Sequence, residues 1–286
     1  VGPHAAIPGD LAAVAAVPAS GQPAGARDNG ASIPGQKCSA TGRRAPRHPE
    51  RLGEDAASLL PGQVRPAFVW DMQLDSDGEG TSVEGYEAMV SSKTRLDYAQ
   101  VQAAVEGATA DECLVLLKEV GERRIALERA RGGASLPLPE QEVSLDVAGH
   151  YLLAFRPVVA AEDWNAQISL MTGIAAAEMM LHAGVGILRT MPEPDHDAIK
   201  RFRRQARALG VTWPPMVMYG EFLRSLDRTN PSHLSLIHEA TALLRGAGYT
   251  PFEGGVPEVV RQAAGAAPYA PVTATLRAPG DRLGLV

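Results

Sequence analysis

The stretch from Ala161 to His182 constrains this chain more than any other. Ile168, Leu170, Met171, Ile174, Ala175, Met179 and Leu181 recur at helical spacing, yet they are not confined to one stripe. A surface helix carries an apolar face about 100° wide. A helix apolar around most of its circumference is a buried one, and the rest of the chain has to cover it. Gly184 follows as the stop signal.

The covering elements can be read on both sides of that helix. Ala67–Leu74 alternates apolar and polar residues as a half-buried strand does, Asp75-Ser-Asp-Gly-Glu-Gly80 reads as a turn, and Thr81–Val90 returns as the second strand of a hairpin. Asp97 is placed to cap a helix over Asp97–Ala104. Asp111–Arg131 is amphipathic, with Leu114, Leu117, Val120, Ile125 and Leu127 on its apolar side and Gly132-Gly133 as the stop. Glu142–Asp146 and Tyr151–Pro157 form a further strand pair around Gly149. Val185–Leu188 is a short buried strand, and helices follow over Asp195–Leu209, Gly220–Leu226 and Ser232–Leu244. Residues 1–43 are rich in Ala, Gly, Pro, Ser and Asn and show no sustained period. They are expected to be a low-complexity, poorly ordered segment holding at most one element, Leu11–Val17. No βαβαβ alternation or internal repeat occurs, so the expected class is α+β, rich in helices, with antiparallel strand pairs.

With 286 residues the chain can bury a large core as one or two domains. The formal net charge of −6 gives no sign of a generally basic, nucleic-acid-seeking surface, though a narrow basic channel fits inside an acidic protein. Cys38 and Cys113 match no metal or redox spacing, and no apolar run reaches the roughly 18 residues of a membrane span. A reducing, cytoplasmic setting without a membrane partner is the expectation.

Five stretches carry a more specific signal. They are Gly53-Glu-Asp-Ala-Ala-Ser-Leu-Leu-Pro-Gly62, Ala88-Met-Val-Ser-Ser-Lys-Thr-Arg-Leu-Asp-Tyr98, Glu162-Asp-Trp-Asn-Ala-Gln-Ile-Ser-Leu-Met-Thr-Gly173, Leu188-Arg-Thr-Met-Pro-Glu-Pro194 and Ala267-Pro-Tyr-Ala-Pro-Val-Thr-Ala-Thr-Leu-Arg277. In order and spacing they resemble the RNB catalytic domain of ribonuclease II-type exoribonucleases over residues 44–286. The resemblance implies an RNB-type domain, and an activity that removes nucleotides one at a time from the 3′ end of single-stranded RNA. No obligate protein partner is implied. The family uses Mg²⁺ held by clustered aspartates, because hydrolysing a phosphodiester needs a metal-activated water and charge stabilisation on the phosphoryl oxygens.

That aspartate cluster is not found here. Asp10 and Asp28 stand alone, and Leu11–Val17 matches the strand that follows the cluster in the family. The resemblance therefore implies a domain truncated at both ends, with no metal ligands to name, and a chain that begins with Val1 fits a fragment or a GUG start. Where the family has an aromatic that stacks on the terminal base, this chain has Ser39. In the last stretch Tyr269, Thr273 and Arg277 are kept, while Pro271, Thr275 and Ala278 depart from the pattern. Arg277 falls where the family's catalytic arginine meets the scissile phosphate, a role suited to a forked guanidinium. An ion pair with Asp281 is the competing reading.

On the long helix Glu162, Asn165, Ser169 and Thr172 share one face. Glu162, Asn165 and Ser169, with Tyr269 and Thr273, are the candidate RNA-binding residues. The alternative is that these groups only hydrogen-bond to neighbouring loops. Asp75–Gly80 begins like a calcium loop but has Tyr86 where the bidentate Glu belongs, which favours a hairpin turn. Glu178 and His182 read as a solvated pair. Lys200, Arg201, Arg203, Arg204 and Arg207 form a basic helix face that either touches phosphates or is simply solvated. Three expectations stay open: an RNB-family ribonuclease, a non-catalytic RNA-binding protein, and a gene fragment without activity.

Overall fold

The computed structural model describes residues 58–134, 136, 140–156, 158–227 and 229–273, with the backbone of residues 2–7, 10–18, 38–40 and 43–45 and residue 55. Strands β1 (Gly2–Ile7), β2 (Asp10–Pro18), β5 (Val64–Leu74) and β6 (Gly80–Ser91) form one antiparallel sheet in the order β1-β2-β5-β6. Between them in sequence, β3 (Cys38–Ala40) and β4 (Arg43–Ala45) pair with each other. Residues 1–43, expected to hold at most one element, contribute the strands β1, β2 and β3. The Ala/Val run of β2 is an interior strand of the sheet, paired from Leu11↔Leu74 to Pro18↔Ala67. It is the one element read within this segment, Leu11–Val17, and a strand flanked on both edges need not alternate in polarity.

The β5–β6 hairpin is as the alternation foretold. At its turn the Asp75 carboxylate accepts from the amides of Asp77 and Glu79, both at 2.9 Å. Those bonds account for an acid at the start of the loop without any cation.

Helix α1 (Tyr98–Glu106) is capped by Asp97, whose carboxylate accepts from Gln100 N at 2.8 Å. Helix α2 (Glu112–Ala130) is capped by Asp111 and followed by Gly132 at φ +86°. Its inward face differs from the expected one. Leu117 and Val120 are buried as expected and Leu114 and Ile125 pack half-buried against the same core, but Arg124 and Glu128 are buried with them, while Leu127 is half-buried. The hairpin β7 (Glu140–Leu145) and β8 (Tyr151–Arg156) comes next, then α3 (Ala160–Ala183), which is the long apolar helix.

Trp70, Met72 and Leu74 of β5, Val101 of α1, Leu117 and Val120 of α2, and Ala270 and Val272 near the end of the described chain pack with α3 in one core. So does Leu188 of β9 (Val185–Thr190). Helix α3 is covered by strands, helices and an extended segment, as its composition demands. Met179, read as part of this core, is instead 42% exposed, while its neighbours Met180 and Leu181 pack against the core. Contact between α2 and α3 is close at Gly121, where any side chain would collide with Cα and Cβ of Trp164.

A second core follows. Helices α4 (His196–Ala208), α5 (Tyr219–Arg224) and α6 (Pro231–Glu239) enclose Phe202, Trp213, Phe222, Leu223, Leu236 and Ile237. The rings of Trp213 and Phe222 stack at 4.5 Å between centroids, and Phe202 meets both edge-on. β10 (Gly248–Glu253), an element without a sequence signal, then pairs antiparallel with β9. Last, β11 (Arg261–Gln262) and β12 (Ala267–Pro268) form a small pair beside α3. Among the described residues no helix is long and apolar enough to cross a membrane.

Candidate nucleic-acid interface

The first half of α3 presents polar groups because its N-terminus has amides to satisfy. Val159 offers no side-chain acceptor, so Glu162 reaches back to its amide at 3.2 Å, and Gln102 of α1 accepts from Ala161 N at 3.0 Å. Beside these turns lies a cavity of about 480 Å³. Tyr98 of α1 and Glu162, Asn165 and Gln167 of α3 line it, with Glu128 and Arg129 of α2 and Arg224 of α5. Asn165 donates from Nδ2 to the Tyr98 hydroxyl at 3.2 Å. Deeper in, the buried Gln167 amide donates to the buried Glu128 carboxylate, which leaves Gln167 Oε1 without a hydrogen-bond partner. The set combines an aromatic ring, carboxylates and amides that pair with hydroxyls, and two guanidinium groups.

Of the residues singled out on this helix face, Ser169 does leave the helix: its hydroxyl donates to Oγ1 of Thr273 at 2.9 Å. Thr172 does not. Fully buried, it returns its hydroxyl to the carbonyl of Ile168 at 2.8 Å, the bland alternative for a polar residue inside a helix. Tyr269 lies across α3 at Gly173, with Ala270 N donating to Gly173 O at 2.9 Å and Arg189 N of β9 donating to Tyr269 O at 2.8 Å. Arg277 and Asp281 lie outside the described residues, as does Ser39 apart from its backbone in β3.

These bonds join the sequence stretches read above into one continuous set. Pro61 and Gly62 of the first meet Ser92 of the second, with Gly62 N donating to Ser92 O at 2.8 Å. The second reaches the third through Tyr98 and Asn165, and the third reaches the fifth through Ser169–Thr273 and Gly173–Ala270. The fourth closes on the fifth through Arg189. Sequence reading quoted Tyr98 but gave it no site role, and missed Glu128, Arg129 and Arg224 as cavity walls. The α2 pair falls on a face that looked solvated, and Arg224 arrives from the second core.

One turn before Glu128 on α2, Arg124 is a second buried charge. Its guanidinium donates to Gly78 O at 2.9 Å and meets Glu79 at 3.2 Å. Burial draws its pKa below the ordinary guanidinium range, the nearby charge of Arg131 adds to this, and Glu79 opposes it. Arg124 thus ties α2 to the β5–β6 turn. Among the described residues no three His, Cys, Asp or Glu side chains gather where a cation could sit, Glu178 and His182 included. The donor set among the described residues does not fit Mg²⁺, which needs several hard oxygen ligands.

Known proteins match the chain in keeping with this geometry. The family profile of the RNB domain matches residues 41–269. Ribonuclease R of Thermotoga maritima is 26% identical over 176 residues, which is 58% of this chain and 25% of that protein. The chain thus spans about a quarter of that relative's length. Mycoplasma genitalium RNase R, solved in complex with ribose-methylated single-stranded RNA, superposes with a TM-score of 0.80 at 18% identity. The match covers 98% of this chain and 46% of that one. Yeast Ssd1, described as a pseudonuclease, shares the fold with a TM-score of 0.73 at 16% identity, over 97% of this chain and 35% of its own. The RNB profile covers the long helix, the sheet strands β5 and β6, the cavity walls and the segment docked at Gly173; the chain belongs to the RNB domain family.

Proposed function

We propose that this chain is the RNA-gripping part of an RNB-family ribonuclease and holds single-stranded RNA in the cavity beside the first half of α3. One observation carries the reading: Tyr98, Asn165, Ser169, Thr273 and Tyr269, from three separate stretches of the sequence, follow one another along a single helix. Single-stranded RNA is recognised by stacking on aromatic rings, by contacts to 2′-hydroxyls and by guanidinium groups on phosphates. Tyr98 supplies a ring, Glu162 and Asn165 supply partners for ribose hydroxyls, and Arg129 and Arg224 face the phosphates. Ser169, Thr273 and Tyr269 continue the path along α3, and by the family pattern we assign the scissile phosphate to Arg277. The working unit is 44–286 together with β1 and β2, which complete its sheet. Its setting is the cytoplasm, and it needs no protein partner for this task.

Hydrolysis is a separate matter. The family's chemistry uses a divalent ion, Mg²⁺ in this reading, and the described residues offer no cage for one. We therefore assign binding to this chain and no cleavage of its own, a division that a pseudonuclease of the same fold makes reasonable. The second reading, a 3′→5′ exoribonuclease, is favoured by family membership alone.

The test is incubation of the purified chain with end-labelled single-stranded RNA and Mg²⁺. Salt-sensitive retention of intact RNA, weakened at least about tenfold by Tyr98→Ala with Asn165→Ala, is the expected result. Release of mononucleotides would establish the exoribonuclease instead. Failure to retain RNA at any ionic strength would remove both readings.

A further inference from the structure

We propose that the exposed arginines of α4, Arg201, Arg204 and Arg207, form a second RNA contact outside the cavity, one that takes the phosphate backbone without regard to sequence. The proposal rests on the reading that the cavity receives RNA, and it extends that reading to the part of the strand beyond it.

The argument starts from charge. The chain as a whole is acidic, at −6, so polyanions are repelled unless positive charge is concentrated locally. Helix α4 concentrates it, with five basic residues within thirteen. Two of these are engaged within the chain. Lys200 pairs with Asp197 at 3.7 Å. The Arg203 guanidinium sits over the Trp213 ring, 4.0 Å from its centroid, and donates to the carbonyls of Trp213, Pro214 and Pro215. The other three are exposed and form no ion pair among the described residues.

The acids nearby in sequence or packed on α4 form hydrogen bonds with other groups and no ion pair with these three among the described residues. Glu193 accepts from the Tyr219 hydroxyl at 3.1 Å, and burial, reinforced by that carboxylate, pushes the phenol up and keeps it a donor. Asp195 caps the helix, accepting from Ala198 N at 2.6 Å, and Glu239 accepts from Gln205 at 2.9 Å. Arg207 also borders a recess of about 290 Å³ with Gly210, Thr212 and the fixed Arg203–Trp213 pair. A phosphate there would meet a free guanidinium and a hydroxyl over a rigid floor.

The second core links the basic helix to the cavity. Helix α5 carries Arg224 to the cavity wall, and its Phe222 packs on Phe202 of α4 at 6.1 Å. The basic helix and the cavity are thus two sides of one small core.

The experiment compares the full chain with R201Q/R204Q/R207Q and with the charge-preserving R201K/R204K/R207K. Fluorescent oligouridylates, one short enough to fill only the cavity and one several times longer, are titrated over a range of salt. The glutamine variant should bind the short oligomer like the parent. For the long oligomer it should lose about tenfold in affinity at low salt, with a log–log salt slope shallower by about 2, as expected for three contacts on a single strand. The lysine variant should keep the parent's slope.

An unchanged slope for the long oligomer, or equal losses for short and long, would overturn the proposal. Retention of polyglutamate in place of oligouridylate, abolished by the same substitutions, would also overturn it and point to an acidic protein. If the parent ignores the short oligomer but binds the long one through these arginines, the cavity reading fails while the α4 contact stands. Matching thermal melts establish that the variants fold.

Discussion

Gly173 sits where a methyl group and a tyrosine ring would need the same space. In an exposed helix interior Gly→Ala is worth about 1 kcal/mol of stability, because alanine restricts the unfolded chain and favours the helix. Here a Cβ would overlap the edge of Tyr269 and crowd Ala270 O. Gly173→Ala is therefore expected to destabilise, by about 1–3 kcal/mol as for an overfilled core, and to push the terminal segment away from Ser169 and Arg189. Urea unfolding of G173A, Y269A and the double variant checks this. The double variant should be more stable than the sum of the two single losses implies, since removing the ring restores room. Strict additivity would mean that the glycine is there for a reason unrelated to Tyr269.

At the scale of elements, the aromatic trio of the second core joins α4 and α5 through one indole. Trp213 stacks on Phe222, meets Phe202 edge-on and carries Arg203 on its ring. Trp213→Ala is expected to cost about 3–5 kcal/mol. It should loosen α4–α6 before the sheet and α3, because only the second core loses its centre. Proteolysis of the variant should cut first within 196–239, and a single cooperative loss of all elements would contradict the division into two cores. How far the elements were legible follows from the same physics. Asp97, Asp111, Asp195 and Gly184 announced helix ends because caps are local, and β5–β6 was legible because one of its faces meets a core. β10 was not legible, nor was the pairing of β2 beyond its existence as Leu11–Val17, because both pairings are decided by strands distant in sequence. The same holds for the site. Glu162, Asn165 and Ser169 could be picked from one helix face, while Arg224 could not, since it reaches the cavity through a tertiary arrangement with no local mark.

For the molecule as a whole, the fold is a set of layers around α3, and its stability should be graded outward from that helix. Ala175, Ala176 and Ala177 lie within the main core, enclosed by β5, α2 and β9. The β7–β8 hairpin stands at the other extreme. Among the described residues it pairs with no third strand, and Val143, Leu145, Tyr151 and Leu153 hold roughly half or more of their surface in solvent. An isolated two-stranded hairpin is marginal in water. Its turn is nonetheless well made, with Asp146 accepting from the amides of Ala148 and His150 at 2.8 Å, bonds that hold its carboxyl below the usual range. Turn quality and strand stability are thus set against each other, and burial should decide. Native-state hydrogen exchange is expected to show amides of 168–177 opening only with global unfolding, and those of 143–153 exchanging through local opening at far lower cost. Equal protection in the two segments would mean that something covers the apolar face of the hairpin in solution, and would replace stability graded outward from α3 with a single cooperative unit.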